Sequence, residues 1–204
     1  MDVAPKLISL MIVMLVSVIS PGPNFMIVSS IAAMKSRRDG ILAASGLSLA
    51  AGTWTIISIS GVGYLLQHMS WIVGGIRVTG CMYLAWLGLK MVWSSIRSES
   101  PPSRVGVAHG APPMLEGFFA SMTNPKSFAF YLSIFALLIP PYRPLGFYVC
   151  VFVIPVAISF CWYSIVAVIF SIEKMRAGFA RKRKIIDGCV GGFLIIFAGH
   201  LFAS

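Results

Sequence analysis

The sequence predicts an all-α integral membrane protein: six transmembrane helices set out as two inverted three-helix repeats, with spans 1 and 4 broken at proline motifs. Three observations carry that prediction. Of the 204 residues, 58% are hydrophobic and only 11% are charged, where a soluble domain carries about 25% charged residues. The apolar residues gather into six segments, 7–34, 41–66, 71–96, 117–139, 145–172 and 185–202, each near or above the ~20 residues that cross a bilayer. The first and fourth segments are both interrupted by proline, which removes backbone hydrogen bonds at a depth where no water replaces them.

Span 1 is apolar from Leu7, breaks at Ser20-Pro21-Gly22-Pro23-Asn24, and resumes from Phe25 to Met34. A break of this kind is tolerated in a membrane only where it is buried in protein or lines a polar cavity. The segment reads as a retained span and not as a cleaved signal, because Lys6 is the one cation before it, Asp2 precedes that, and no small-x-small site follows. Span 2 carries Gly46, Gly52, Gly61 and Gly63. Span 3 carries Arg77 and Lys90 near opposite ends, placed to snorkel to opposite surfaces.

Residues 97–116 include Pro101, Pro102, Pro112 and Pro113 and read as a linker between repeat one (7–96) and repeat two (117–203) of a single transporter domain. Span 4 contains Thr123-Asn124-Pro125-Lys126-Ser127, so its proline sits near the middle, as in span 1. Spans 5 and 6 are continuous, and Gly188 and Gly192 of span 6 form a GxxxG pair suited to close helix approach, within one subunit or between two.

The net charge of +10 sets orientation and does not mark a nucleic-acid surface. Basic residues crowd the first, third and fifth connections: Lys35, Arg37 and Arg38, then Arg97 and Arg104, then the run from Lys174 to Lys184. The ends and the other two connections hold only Lys6 and Arg143. The bias of cations toward the cytoplasm places those three loops inside and both termini outside. Two three-span halves then cross in opposite senses, and paired interruptions in such halves point to a transport site.

Lys126 lies near the middle of span 4, where inserting a lysine costs at least ~2.5–3.5 kcal/mol. It reads either as a structural cation beside carbonyls freed by Pro125 or as a cavity-facing group that pairs with a substrate carboxylate or loses its proton during the cycle. Asn24 and Asn124 each offer two donors and one acceptor oxygen, to satisfy the broken backbone or to touch substrate. Ser20, Thr123 and Ser127 are secondary candidates, since hydroxyls commonly bond back to their own helix. Asp39, Glu116 and Asp187 fall at span ends and are expected to pair with loop cations. Cys81, Cys150, Cys161 and Cys189 show no metal or redox spacing and read as small buried apolar residues. The five tryptophans, Trp54 among them, read partly as belt residues of the membrane interface. No histidine cluster, cysteine pair or opposed carboxylates mark an integral-membrane enzyme. A non-transporting scaffold would explain the glycines but not a central lysine beside two broken helices.

Ser20–Asn24, Thr123–Ser127, Gly80-Cys81-Met82-Tyr83-Leu84-Ala85-Trp86-Leu87-Gly88, and the glycines at 46 and 61 together resemble the signatures of the lysine-exporter (LysE/RhtB) superfamily of bacterial amino-acid exporters. The resemblance implies proton-motive-force-driven export of amino acids or related small polar metabolites across the bacterial inner membrane, through six helices that form a homodimer, with no cofactor and no nucleic-acid partner. It also implies a central site made of Pro21, Gly22, Pro23, Asn24, Asn124, Pro125 and Lys126. Some members carry a second glycine and an acidic residue in span 2, where this chain has Ala50 and Ala51.

Overall fold

The computed structural model describes residues 3–68, 70–96, 111–138 and 144–203, with the side chains at 3, 62–68, 70–74, 76, 77, 175–183, 201 and 203 outside that description. The described residues are helical apart from short connections. In order the helices are α1 (Val3–Ile19), α2 (Pro23–Met34), α3 (Arg37–His68), α4 (Ser70–Ile96), α5 (Pro113–Met122), α6 (Pro125–Leu138), α7 (Leu145–Phe170) and α8 (Glu173–Ala203). Residues Arg37–Gly61 and Leu145–Phe170 are each long and apolar enough to cross a membrane, and the bent pair α1–α2 makes a third such unit.

Both interruptions read from the sequence are present. A residue before proline avoids the helical region. Ser20 precedes Pro21, and Gly22, at φ −109° and ψ −170°, precedes Pro23. The chain turns there through a Gly22 N–H bond to the Ser20 carbonyl at 2.8 Å, and α2 leaves α1 at 54°. Pro23 then occupies the first turn of α2, where a missing N–H is harmless. The second break follows the same logic. Asn124 precedes Pro125, which opens α6. The Asn124 side-chain oxygen accepts the Lys126 N–H at 3.0 Å, a cap for one of the open donors at the helix start.

Other boundaries differ from the span reading. α5 starts at Pro113, inside the expected linker, and α8 starts at Glu173, so the basic run to Lys184 is helical. Lysine and arginine are good helix formers, and a charged loop next to a span extends the helix readily. α3 begins on a reciprocal cap: Ser36 Oγ accepts the Asp39 N–H at 3.1 Å and donates to Asp39 Oδ2 at 2.7 Å.

α3 packs along α5 and α7, and α4 packs along α8. Gly46 and Gly117 permit the first of these contacts. A Cβ on Gly46 would run into the Met114 carbonyl, and one on Gly117 into the Ala43 carbonyl. Gly88 and Gly191 permit the second, since a Cβ on either would stand 2.6 Å from the carbonyl oxygen of the other. Of the GxxxG pair, a Cβ on Gly188 would stand 3.3 Å from Ser95 Oγ of α4, while Gly192 faces open space within one subunit and the backbone contact belongs to Gly191. Phe25 of α2 meets Phe170 of α7 edge to face, centroids 5.2 Å apart, within an apolar cluster that includes Val28, Ile31, Ala43, Leu47 and Val166.

Two further expectations change. Of the four cysteines only Cys81 is buried; Cys150, Cys161 and Cys189 are exposed, on outward faces of α7 and α8. Outward positions of a membrane helix are as apolar as inward ones, so a small apolar residue carries no information about which way it points. Trp86 and Trp93 are exposed as belt residues would be, but Trp54 is buried and donates its indole N–H to the Ser121 carbonyl at 3.3 Å. Lys90 lies exposed over the Trp86 ring, 5.3 Å from its centroid. Arg77 lies in α4, with its side chain outside the described ones.

Candidate functional site

The two helix breaks meet. Asn124 Nδ2 donates to Asn24 Oδ1 at 2.9 Å, so the amides of the two proline motifs join across a hundred residues of chain. Asn24 Nδ2 in turn lies 3.3 Å from Ser127 Oγ and 3.4 Å from Ser121 Oγ. Lys126 is the second residue of α6, and its Nζ donates to Ser20 Oγ at 2.8 Å. Ser20 Oγ then donates to Met91 Sδ at 3.5 Å. Lys126 is therefore tied to the first break as well as belonging to the second.

These groups surround a cavity of about 40 Å³. Its walls come from Met14, Ser17, Val18 and Ser20 of the first break, Gly22, Pro23 and Asn24 beyond it, and Ser121, Asn124, Lys126 and Ser127 of the second. Leu47 and Ala51 of α3, Phe130 and Tyr131 of α6, and Ser159 and Tyr163 of α7 close it. Among the described lining residues, Lys126 is the only charged one. The rest of the polar surface is hydroxyl and amide, which hydrogen-bonds without adding charge.

α2 and α6 both begin at the cavity, so the positive ends of two helix dipoles and the Lys126 ammonium meet there. α1 and α5 both end at it, bringing carbonyl-rich helix ends to the same space. One small space thus offers groups suited to a carboxylate and groups suited to an ammonium, the two poles of a zwitterion.

Of the residues expected in the site, Gly22, Pro23, Asn24, Asn124 and Lys126 line the cavity, as do the secondary candidates Ser20 and Ser127. Pro21 and Pro125 do not line it; they shape the breaks that present the others. Thr123 is exposed and bonds back to the Phe119 carbonyl at 2.7 Å, the bland outcome open to a hydroxyl. The sequence reading omitted Ser121, Tyr131, Ser159 and Tyr163. Each lies in an apolar stretch whose inner and outer faces share one composition, so no periodicity marked it.

The acids at span ends divide. Glu116, with its side chain 4% exposed, accepts from Lys35 Nζ at 2.7 Å, so α5 is tied to the end of α2 as expected of an acid and a loop cation. Asp39 caps its own helix. Asp187, expected at a boundary, is buried at 6% exposure within α8.

The chain is similar to known membrane proteins along nearly its whole length. Residues 15–204 match the model of the LysE type translocator family. The threonine efflux protein of Escherichia coli K12 is 28% identical over 193 residues, covering 93% of this chain and 94% of that protein. The leucine efflux protein of Enterobacter sp. 638 is 31% identical over 118 residues, 58% of this chain and 56% of that protein. An uncharacterized membrane protein of Haemophilus influenzae is 25% identical over 195 residues, 94% of this chain and 93% of that protein. No solved structure matches the chain. With a family match that spans nearly its whole length, this chain belongs to the LysE type translocator family.

Proposed function

We propose that this protein exports small neutral amino acids across the bacterial inner membrane as a secondary transporter, by alternating access driven by the proton motive force. In this reading α1–α2, α3 and α4 form one three-span repeat and α5–α6, α7 and α8 form its inverted partner, with both termini outside and two copies forming a dimer. The alternation of cations along the chain supports the orientation.

The observation that carries the function is the single cavity at which two helices start and two helices end, with Lys126 among the helix starts. The substrate carboxylate takes Lys126 and the helix N-terminal side; the α-ammonium takes the carbonyls and hydroxyls at the ends of α1 and α5. The absence of a carboxylate from the described lining disfavours a cationic side chain. The cluster of Ser17, Ser20, Ser121, Ser127 and Ser159 favours a small polar one, in keeping with a full-length relative named a threonine efflux protein. Because the cavity has room for only a few waters, loading requires the two repeats to part on one side while staying closed on the other.

The test is counterflow in sealed proteoliposomes. Vesicles loaded with unlabelled threonine or serine are expected to accumulate labelled threonine above equilibrium, and vesicles loaded with lysine or glutamate to do so at least about tenfold less well. Equal counterflow with lysine would overturn the substrate class. No counterflow with any amino acid would overturn the function.

A further inference from the structure

Lys35 and Glu116 lie at the far ends of two helices that meet at the cavity. α2 begins at the cavity wall with Pro23 and Asn24, and Lys35 caps its other end. α5 reaches the wall at Ser121, and Glu116 stands in its first turn. The two helices pack against each other, so their joined ends stand between the cavity and the face that carries the basic first connection. In the proposed orientation that face is the cytoplasmic one. Each charge sits at the helix end whose dipole favours it, the cation at the C-terminal end of α2 and the acid at the N-terminal end of α5. Beside the pair, α5 lies backbone to backbone on α3 at Gly46 and Gly117. The stretches of α1 and α7 that lead into the cavity from their own N-terminal ends are closed differently. There one apolar cluster joins Leu10 and Val13 to Phe147 and Val151.

An ion pair and an apolar cluster open in different ways. Glu116 Oε1 takes the Lys35 ammonium at 2.7 Å, and Oε2 is buried with no hydrogen-bond partner among the described residues. A carboxylate this dry is stable when paired or when fully open to water, and costly in between. The Lys35 side chain is already 28% exposed, so water enters beside it when α2 and α5 part. The pair therefore holds the seam shut or releases it outright. We propose that Lys35 and Glu116 form the latch of the cytoplasmic gate: paired, they seal the cavity from the cytoplasm, and hydrated apart, they admit cargo. The admission of cargo rests on the alternating access of the proposed function; the closure of the cavity at this seam does not.

Labelling from each face tests the seal without any transport measurement. Ser121→Cys, in the full chain with its four cysteines replaced by alanine, places one thiol on the cavity wall. Inside-out and right-side-out membrane vesicles are exposed to a charged, impermeant methanethiosulfonate. Adding Glu116→Gln is expected to speed labelling about tenfold in inside-out vesicles, with no rise in right-side-out ones. Unchanged rates, a rise in both, or a rise in right-side-out vesicles alone would overturn the latch. If Glu116→Gln does not accumulate as folded protein, the double variant Lys35→Met, Glu116→Gln removes both charges and is labelled in its place, under the same expectations. Bridging tests the need to part. Lys35→Cys and Glu116→Cys, in the same cysteine-free chain, are linked by a bifunctional methanethiosulfonate. Threonine counterflow is expected to fall at least about tenfold on bridging and to return on reduction. Bridged protein that transports at the unbridged rate would overturn the gate. Wild-type vesicles that move no amino acid would end the proposed function, while the labelling rates would still decide the seal.

Discussion

Asn124 donates its side-chain amide to the Asn24 carbonyl oxygen at 2.9 Å, and this bond joins the two broken helices at their broken points. The same two amides line the cavity. Any motion that opens the cavity by separating α2 from α6 must break this contact and remake it.

Asn124 has two separable duties, capping α6 and holding Asn24. Asn124→Ser keeps a capping oxygen, so it is expected to cost no more than about 1 kcal/mol of stability. It removes the reach to Asn24, and threonine counterflow is expected to fall about tenfold or more. Asn124→Ala loses both duties and is expected to melt lower than Asn124→Ser. Equal melting temperatures for the two variants would show that the cap contributes nothing.

Gly22 reports on the space around Lys126. Its backbone is extended, a conformation open to any residue, and a Cβ there would sit 3.4 Å from Lys126 Nζ and 3.7 Å from Lys126 Cδ. Gly22→Ala is expected to fold within about 1 kcal/mol of the wild type and to raise KM several-fold by crowding the ammonium. Gly22→Leu is expected to fold but to abolish counterflow. Full transport by Gly22→Leu would place the substrate elsewhere.

Lys126→Arg tests fit as distinct from charge. The planar guanidinium is larger than an ammonium, and the space around Lys126 is bounded by Ser20 and Gly22. Lys126→Arg is therefore expected to recover less than about a tenth of wild-type transport. Lys126→Met is expected to show none while remaining folded. Near-normal efflux by Lys126→Met, measured at equal protein, would refute a role for the charge.

The glycines of the two helix crossings separate from their neighbours. Gly46→Ala and Gly117→Ala would each drive a methyl into a backbone carbonyl, and both are expected to destabilise by about 3 kcal/mol or more. Gly192→Ala meets nothing within 4 Å and is expected to be within about 0.5 kcal/mol of wild type. Fluorescence-detected size exclusion after a heating series ranks them directly, and a Gly192→Ala variant as unstable as Gly46→Ala would reverse the assignment.

The parts of the fold and site that were legible in the sequence are those set by local backbone chemistry. Proline has no N–H and restricts the residue before it, so both breaks were visible at Ser20–Asn24 and Thr123–Ser127. A lysine amid apolar residues stood out for the same kind of reason, since its expense is intrinsic. What stayed hidden depends on which way a side chain points. Tyr163 and Ser159 line the cavity while Cys161 between them is exposed, yet α7 is apolar on all sides and offers no contrast. Trp54 resembles an interfacial tryptophan until its indole is seen on the Ser121 carbonyl. Asp187 sits just beyond a run of cations and looks like a boundary acid; only the packing of α8 against α4 takes it inside.

A chamber of about 40 Å³ holds a few waters at most. Cargo lodged there would exchange most of its hydration shell for the amides, hydroxyls and ammonium of the wall, so those groups, and not bulk solvent, would set which molecules are held.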